Sequence, residues 1–336
     1  MASLPASRGP ISERLLTELR RPPHVLDPFA VPAPLNPLGD EDLQLSLYVL
    51  YELHYRGFAE VDEGWEWEAS LLAHRSALER LFEDALLDAV GLPGEAPAAE
   101  EMDLALRAIA DDEAGPSLSM HVDRNATLDQ VLEFLVHRSA YQLKEADPHS
   151  WALPRLSGAA KAALVEVQAD EYGAGRAERI HAQLFADSMA AVGLDPTYGA
   201  YLDRIPAVTL ATVNLMSFLG LHRRWRGAIV GHLALFEMTS SIPNRRYANA
   251  LRRHGFDGAA TEFFDEHVEA DAVHENVAAV DLAGGLARAE PQVAPDIIWG
   301  ARALAELDAR WGGHLLASWE RDESSLLRAL RAPAIA

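Results

Sequence analysis

The segment His267-Val-Glu-Ala-Asp271-Ala-Val-His274 places three possible metal ligands within eight residues. It lies within residues 261–280, a run without proline or glycine that predicts a helix. At about 100° per residue, positions i, i+4 and i+7 fall within roughly 60° of one another, so two imidazoles and a carboxylate share one face. These donors suit iron, manganese or zinc. We therefore predict a metal site here, the alternative being a helix with an ordinary histidine and a solvated aspartate.

The composition limits the chemistry that the protein can use. Its 336 residues are enough for one large domain or two small ones, each with a sizeable core. With 51 acidic against 29 basic residues, the net charge is −22. The sequence has no basic tract that could follow a phosphate backbone, so a nucleic-acid partner is not expected. The chain has no cysteine, which excludes disulfides, thiolate metal sites and cysteine nucleophiles. Any metal must therefore be held by nitrogen and oxygen.

The N-terminal residues and the length of the apolar stretches indicate the cellular compartment of the protein. The N-terminal residues Met-Ala-Ser-Leu-Pro-Ala-Ser lack the charged and apolar regions of a signal peptide. The longest apolar stretches are interrupted by Asn214 and His232 and fall short of the ~20 residues that a membrane span needs. We expect a cytoplasmic protein that does not contact the membrane.

The chain divides into an arm and one helical domain. Residues 1–37 hold eight prolines, which rules out a continuous helix and predicts an extended arm over the surface. Residues 38–336 form the predicted single domain, with accessory helices in 38–125 and a metal-binding core in 126–320. Period-two patterns are almost absent, so the fold class is all-α, an irregular helical bundle with extra helices.

Several element boundaries follow from local signals. Thr127 with Gln130 predicts a capping box at the start of a helix. Pro243 predicts a break between a helix over 225–240 and another over 245–254. Residues 117–126 are predicted to be extended. Further helices are predicted over residues 42–56, 65–90, 98–109, 158–172, 207–221 and 295–319.

Residues that precede the predicted helix over 261–280, the late helix, could complete a metal site. Glu178-Arg-Ile-His181 has the Glu-x-x-His spacing of helical di-metal proteins, and Glu145 and Glu171 are further candidates. Glu171 and His181 are ten residues apart, which a straight helix converts to roughly 15 Å. Gly173 and Gly175 permit a break that would bring them together. Helical geometry alone favours Glu178, so both glutamates stay open on spacing.

His232 and Glu237 occupy one apolar helical stretch. They are either a hydrogen-bonded pair in the core or groups that support an iron ligand.

Three segments together carry a family resemblance. Leu143-Lys-Glu145-Ala-Asp-Pro-His149, Ala169-Asp-Glu171-Tyr-Gly and the Glu-Arg-Ile-His181 sequence, with the late helix, resemble the heme-oxygenase-like diiron oxidases and oxygenases. Residues 220–227 and 231–237 are similar to the bacterial branch called iron-containing redox enzymes. The resemblance implies a heme-oxygenase-like bundle and two Fe(II) ions, with O₂ as cosubstrate, and it favours Glu171 over Glu178. The ligands it implies are Glu145, Glu171, His181, His267, Asp271 and His274.

The resemblance also implies an activity. It points to a non-heme diiron oxygenase, and the ligand pattern is most similar to the N-oxygenating branch, so we expect N-oxygenation of a small amine or amino-acid-like metabolite in secondary metabolism. Oxidative C–C cleavage or decarboxylation of an amino or fatty acid is the alternative at the same site. From another class of protein, the alternative is a metal-binding module without catalysis. The expected partners are a small-molecule substrate, an external electron donor and a second copy in a homodimer.

Overall fold

The computed structural model describes residues 1–28, 31–32, 34–112 and 117–330, and for residues 269–273 it describes the backbone alone. Within these ranges the chain is helical, and its only β-type pairing is an isolated bridge between Ala2 and Phe58. The all-α prediction is therefore confirmed. The helices, in chain order, are α1 (Pro10–Leu19), α2 (Glu41–Glu52), α3 (Ala69–Val90), α4 (Met102–Asp111), α5 (Leu118–Arg124), α6 (Leu128–Gln142), α7 (Asp147–Ser150), α8 (Gly158–Glu171), α9 (His181–Ala191), α10 (Ala207–Leu221), α11 (Arg226–Arg253), α12 (Glu262–Asn276), α13 (Gly284–Ala289) and α14 (Ala294–Glu320).

The centre of the bundle is α11, which packs along both α12 and α14. The contact with α14 is close because small residues face each other there. A Cβ atom on Gly231 would overlap the carbonyl of Ile297, and one on Gly300 would overlap the carbonyl of Ala228. Backbone-to-backbone packing of this kind fixes the axial position of α11, and with it the position of Glu237.

The late helix ends in an irregular turn. α12 continues into a π-helical segment, Val277–Ala283, which leads into α13. This segment packs against α8, which ends at Glu171. π-Helical segments often occur near functional sites because the extra residue re-aims the side chains around it.

The N-terminal arm is anchored by a helix that the proline count did not indicate. Pro10 lies in the first turn of α1, where a missing N–H costs nothing because that N–H has no helical partner. The backbone N–H groups of Ile11 and Ser12 donate to the two carboxylate oxygens of Asp42 at 2.8 and 2.7 Å. Leu15, Leu16 and Leu19 are buried, so this part of the arm joins the core.

Two boundary predictions were wrong. Residues 118–124 form α5 rather than an extended segment, and Ser117 caps it by accepting from the N–H of Met120. Pro243 does not end a helix, because α11 runs through it from Arg226 to Arg253. An internal proline costs about 3 kcal/mol. The packing of α11 along α12 and α14 outweighs that cost.

The capping box at Thr127 is confirmed. Thr127 Oγ1 accepts from the N–H of Gln130, and Gln130 Oε1 accepts from the N–H of Thr127. It starts α6, whose C-terminal end leads into the turn that carries Glu145. No helix of the described residues is long and apolar enough to span a bilayer.

Candidate metal centre

Four buried side chains bring nitrogen and oxygen donors to one point in the bundle. Glu145, Glu171, His181 and His267 each offer an atom, and these atoms lie within 4.8 Å of one another. They come from the turn after α6, the end of α8, the start of α9 and the middle of α12. None is more than 6% exposed. Four separate chain segments therefore converge on one position suited to a metal ion.

A second group of donors adjoins the first. Glu171, Glu237 and His274 also offer atoms that lie within 4.8 Å of one another, and all three are buried. Glu171 belongs to both groups. A carboxylate has two oxygens, so one glutamate can contact two metal ions at once. Glu171 is thus the carboxylate that the two groups have in common.

The loop from Gly173 to Ile180 brings Glu171 and His181 together. Gly173, Ala174 and Gly175 have φ angles of 66°, 50° and 81°, so the helix ends after Glu171 and the chain reverses. His181 is the first residue of α9, and its Nδ1 lies 2.9 Å from Oε2 of Glu171. The structure thus places Glu171 beside His181. Glu178 lies in the exposed turn Ala177–Arg179.

The turn that carries Glu145 is fixed by a buried ion pair of the preceding residue, Lys144. The Nζ atom of Lys144 lies 3.0 Å from Oε2 of Glu52, and both side chains are 1% exposed. Tyr198 donates a second hydrogen bond to the same carboxylate oxygen at 2.7 Å. Ala146 follows with a φ of 71°. A buried pair with extra hydrogen bonds fixes geometry more surely than it adds stability, and here it orients the turn that presents Glu145.

Partners of the imidazoles determine which ring nitrogen faces the centre. His267 Nδ1 lies 2.7 Å from the carbonyl oxygen of Phe263, to which only an N–H can donate, so Nε2 is left to face Glu145 at 3.6 Å. His274 Nε2 lies 3.0 Å from Oδ2 of Asp170, and its Nδ1 lies 3.5 Å from Oε2 of Glu237. Metal-bound histidines are commonly oriented in this way by a carbonyl or carboxylate behind the ring.

The cluster fits a divalent metal ion. Among the described residues, Glu145 Oε2, Glu171 Oε2 and His181 Nδ1 are buried and have no hydrogen-bond partner in proper geometry, although the last two atoms are close to each other. Leaving buried carboxylate oxygens without donors is costly, and a cation at this point would satisfy them. The donors are imidazole nitrogen and carboxylate oxygen, the set that non-heme iron takes.

Electrostatics keep Glu171 ionised. Burial by itself raises the pKa of the carboxyl, but the neighbouring His181, His267 and His274 outweigh it and lower the pKa to about 2. The pKa of His181 is raised, because Glu171 beside it outweighs the opposing effect of burial. A carboxylate that stays charged while buried is ready to bind a cation.

Of the six ligands implied by the resemblance, five lie in these two groups: Glu145, Glu171, His181, His267 and His274. The sixth, Asp271, lies on α12, and its side chain is outside the described residues.

The structure adds Glu237, for which the sequence left two roles open. The first of these roles, a hydrogen-bonded core pair of His232 with Glu237, is not what the structure shows. Five residues along a helix rotate the side chain by about 140°, so the two point to different sides. His232 instead meets His149 at 3.1 Å, and Glu237 faces His274. The hydrophobic surroundings of Glu237 carried no signal that could separate a core glutamate from a ligand.

Comparison with known proteins supports an iron enzyme. Residues 132–309, more than half of the chain, match the family model of iron-containing redox enzymes, and this stretch contains every donor described above. The chain is also 29% identical over 171 residues to nitrosourea synthase of Streptomyces achromogenes subsp. streptozoticus. That similarity covers 49% of this chain and 36% of the relative, so the chain matches about a third of the relative's length. By the extent of the family match, this protein belongs to the iron-containing redox enzymes, with an all-helical structure consistent with the heme-oxygenase-like fold.

Proposed function

We propose that this protein is an O₂-dependent non-heme diiron oxygenase that oxidises a nitrogen atom of a small amine or amino-acid-like metabolite. The observation that carries the proposal is the pair of donor groups that share Glu171. A single-ion site needs one group of donors, whereas two groups joined by a carboxylate suit a pair of ions.

The charge of the donors supports two ferrous ions. Glu145, Glu171 and Glu237 supply three negative charges. Asp271, which the sequence places on the same face of α12 as His267 and His274, would supply a fourth. Four carboxylates balance the +4 of two Fe(II) ions in a buried site, where an unbalanced charge would be costly. An external electron donor that restores the ferrous state is part of the proposal.

The space beside the donors supports a small oxidant. A cavity bounded by Tyr141, Leu233 and Phe236 reaches Glu145, Glu171 and Glu237, and has a volume of about 10 Å³. This is room for about one water-sized molecule. Ferrous ions held here would supply the electrons that activate O₂. The protein's own side chains exclude bulk water and hold the carboxylates in place.

The choice of nitrogen as the oxidised atom rests on the relative. Nitrosourea synthase is named for forming a nitrosourea, a compound in which a nitrogen atom carries oxygen. The shared segment corresponds to about a third of that protein, so the substrate of the present chain is proposed by class only.

The test is O₂ consumption by the Fe(II)-loaded protein with a panel of amines, amino acids and fatty acids. We expect amines or amino acids to accelerate it and to yield hydroxylamine, nitroso or nitro products. Acceleration by fatty acids alone, with release of CO₂, would contradict N-oxygenation and favour decarboxylation. Iron binding without any O₂ consumption would favour a metal-binding module. For the variant Glu171→Gln, the matched control is Glu178→Gln, because Glu178 is exposed in the loop that follows the helix ending at Glu171.

A further inference from the structure

A second, much larger pocket adjoins the metal-site cavity. Residues of α4, α5, α6, α11 and α14 line it, and its volume is about 550 Å³. Pockets that bind small molecules typically measure about 300–1,000 Å³. Phe236 and Ser240 line both spaces and so form the wall between them. A molecule too large for the 10 Å³ beside the donors would fit in the larger pocket, next to this wall.

Most of the pocket wall is apolar. Aromatic and aliphatic side chains cover it from both long helices: Leu235, Phe236 and Tyr247 of α11, and Leu304, Trp311 and Leu316 of α14. Such a surface holds an apolar body and gives it little orientation.

Four charged side chains line the pocket, and two of them, Asp112 and Glu320, are exposed. The other two, Arg138 of α6 and Asp308 of α14, are half-buried. No ion pair joins them, and neither has a hydrogen-bond or ion-pair partner among the residues that the structure describes. The guanidinium carbon of Arg138 instead lies 5.8 Å from the ring centre of Phe236 and 5.7 Å from that of Trp311. Aromatic rings hold the cation in place and leave its N–H groups available.

Asp308 is a weaker acid than an exposed aspartate. Burial raises its pKa to about 6, and the charge of Arg138 acts in the opposite direction. At neutral pH it is therefore mostly ionised, and a cation next to it would be favoured.

We propose that this pocket binds a zwitterionic amino acid with a large apolar side chain, its carboxylate on Arg138 and its ammonium group on Asp308. The planar guanidinium matches a carboxylate in two-point contact, and a carboxylate matches an ammonium group. Two opposite, half-buried charges, neither in an ion pair with another described residue, are complementary to a molecule that carries both charges on an apolar body. The proposal rests on the proposed function, because it names the substrate class for the same metal site.

Isothermal titration calorimetry with charge-deleted probes tests it. The probes are L-phenylalanine, 3-phenylpropanoate, which lacks the amine, and 2-phenylethylamine, which lacks the carboxylate. L-Tryptophan and L-norleucine extend the range of side chains. The anaerobic Fe(II)-loaded protein and its Glu171→Gln variant are titrated in parallel at pH 7.5.

We expect Arg138→Gln to weaken binding of the amino acid by about 10–100-fold, the effect of losing a charged hydrogen bond, and to leave the amine within about threefold. Asp308→Asn should weaken the amino acid similarly, and should strengthen 3-phenylpropanoate by about 2–5-fold because it removes a like charge. A gain in affinity cannot come from misfolding. Arg321→Gln, at an exposed ion pair with Glu323, should change nothing.

Three other outcomes overturn the proposal. Absence of binding by all three amino acids would do so, as would equal losses for every probe. Binding that disappears in Glu171→Gln but ignores Arg138→Gln would place the amino acid on the iron, and would leave the proposed function standing. Binding that follows both charges without O₂ consumption would support the pocket while the proposed function fails.

Discussion

Glu171 and His181 are ten residues apart in sequence, yet Oε2 of one lies 2.9 Å from Nδ1 of the other. The reversal between them depends on Gly173, which has a φ of 66°. A Cβ at this position would lie 2.6 Å from the backbone carbon of Arg179. The two backbone segments of this loop are therefore in contact at Gly173, where only a glycine fits.

Gly173→Ala should open the loop and lower iron affinity by ~10-fold or more, because it separates Glu171 from His181. Gly175→Ala is the matched control, since Gly175 also has a positive φ, 81°, but nothing lies within 4 Å of its added Cβ. It carries only the left-handed strain, about 1–2 kcal/mol. Iron affinities from competition with a chelator compare the two. Equal losses would show that backbone strain, and not the contact with Arg179, sets the loop.

Glu237→Gln should remove a ligand from the second position and leave the first. We expect the iron content to fall from two ions per chain towards one, because Glu145, Glu171, His181 and His267 remain. Elemental analysis after anaerobic loading and desalting measures it. Glu133→Gln, another buried glutamate, serves as the comparison, since its carboxylate accepts from Trp319 and Ser325 far along the chain. Retention of two ions by Glu237→Gln would remove Glu237 from the ligand set.

Asp170→Ala should weaken iron binding without abolishing it. Asp170 accepts from His274 Nε2 at 3.0 Å and orients the ring from behind. Loss of such a partner typically costs 10–100-fold in metal affinity. Asp187→Ala, on the exposed surface of α9, should have no effect. If Asp170→Ala lost iron as completely as Glu171→Ala, Asp170 would have to be counted among the ligands.

His137 should make folding sensitive to acid. It is 1% exposed and held between the hydroxyls of Thr209 at 2.6 Å and Ser325 at 3.0 Å. Burial lowers its pKa to about 3, against about 6.5 in the unfolded chain. The folded state thus favours the neutral ring, so stability from this residue is complete above pH 6.5 and is lost as the pH falls towards 3.

His137→Gln isolates this contribution. Well below pH 6.5, the free energy of unfolding of the native protein should fall faster than that of the variant, by about 1.4 kcal/mol per pH unit. Urea unfolding in the presence of chelator, at pH 4.5 to 7.5, measures both. Parallel curves would show that His137 is protonated in the folded state. Other buried histidines, such as His149 with a pKa lowered to about 4 by burial, contribute equally to both proteins.

Local signals predicted much of the fold. The helix over 207–221 coincides with α10, the capping box of Thr127 is present, and the chain does break at Gly173 and Gly175. Each of these depends on residues close in sequence. The errors at α5 and at Pro243 have the opposite origin. α5 packs against α11 and α14, and α11, which contains Pro243, packs along α12 and α14; no local pattern encodes these contacts.

Some residues of the candidate site could likewise be predicted from the sequence, and others could not. The face shared by His267 and His274 follows from helical periodicity, and the family resemblance supplied Glu145 and the choice of Glu171 over Glu178. Glu237 could not be assigned as a donor, because only the packing of α11 against α12 shows that it faces His274. The pocket at Arg138 and Asp308 likewise joins residues 170 positions apart, which no sequence pattern relates.

In the proposed centre, Glu171 lies between two iron ions. The most direct test is the iron content of the anaerobically loaded protein, combined with Mössbauer spectroscopy of the bound iron. We expect two ions per chain in a magnetically coupled pair, and loss of that coupling in Glu171→Gln but not in Glu178→Gln. One ion per chain, or two ions without coupling in the native protein, would contradict it.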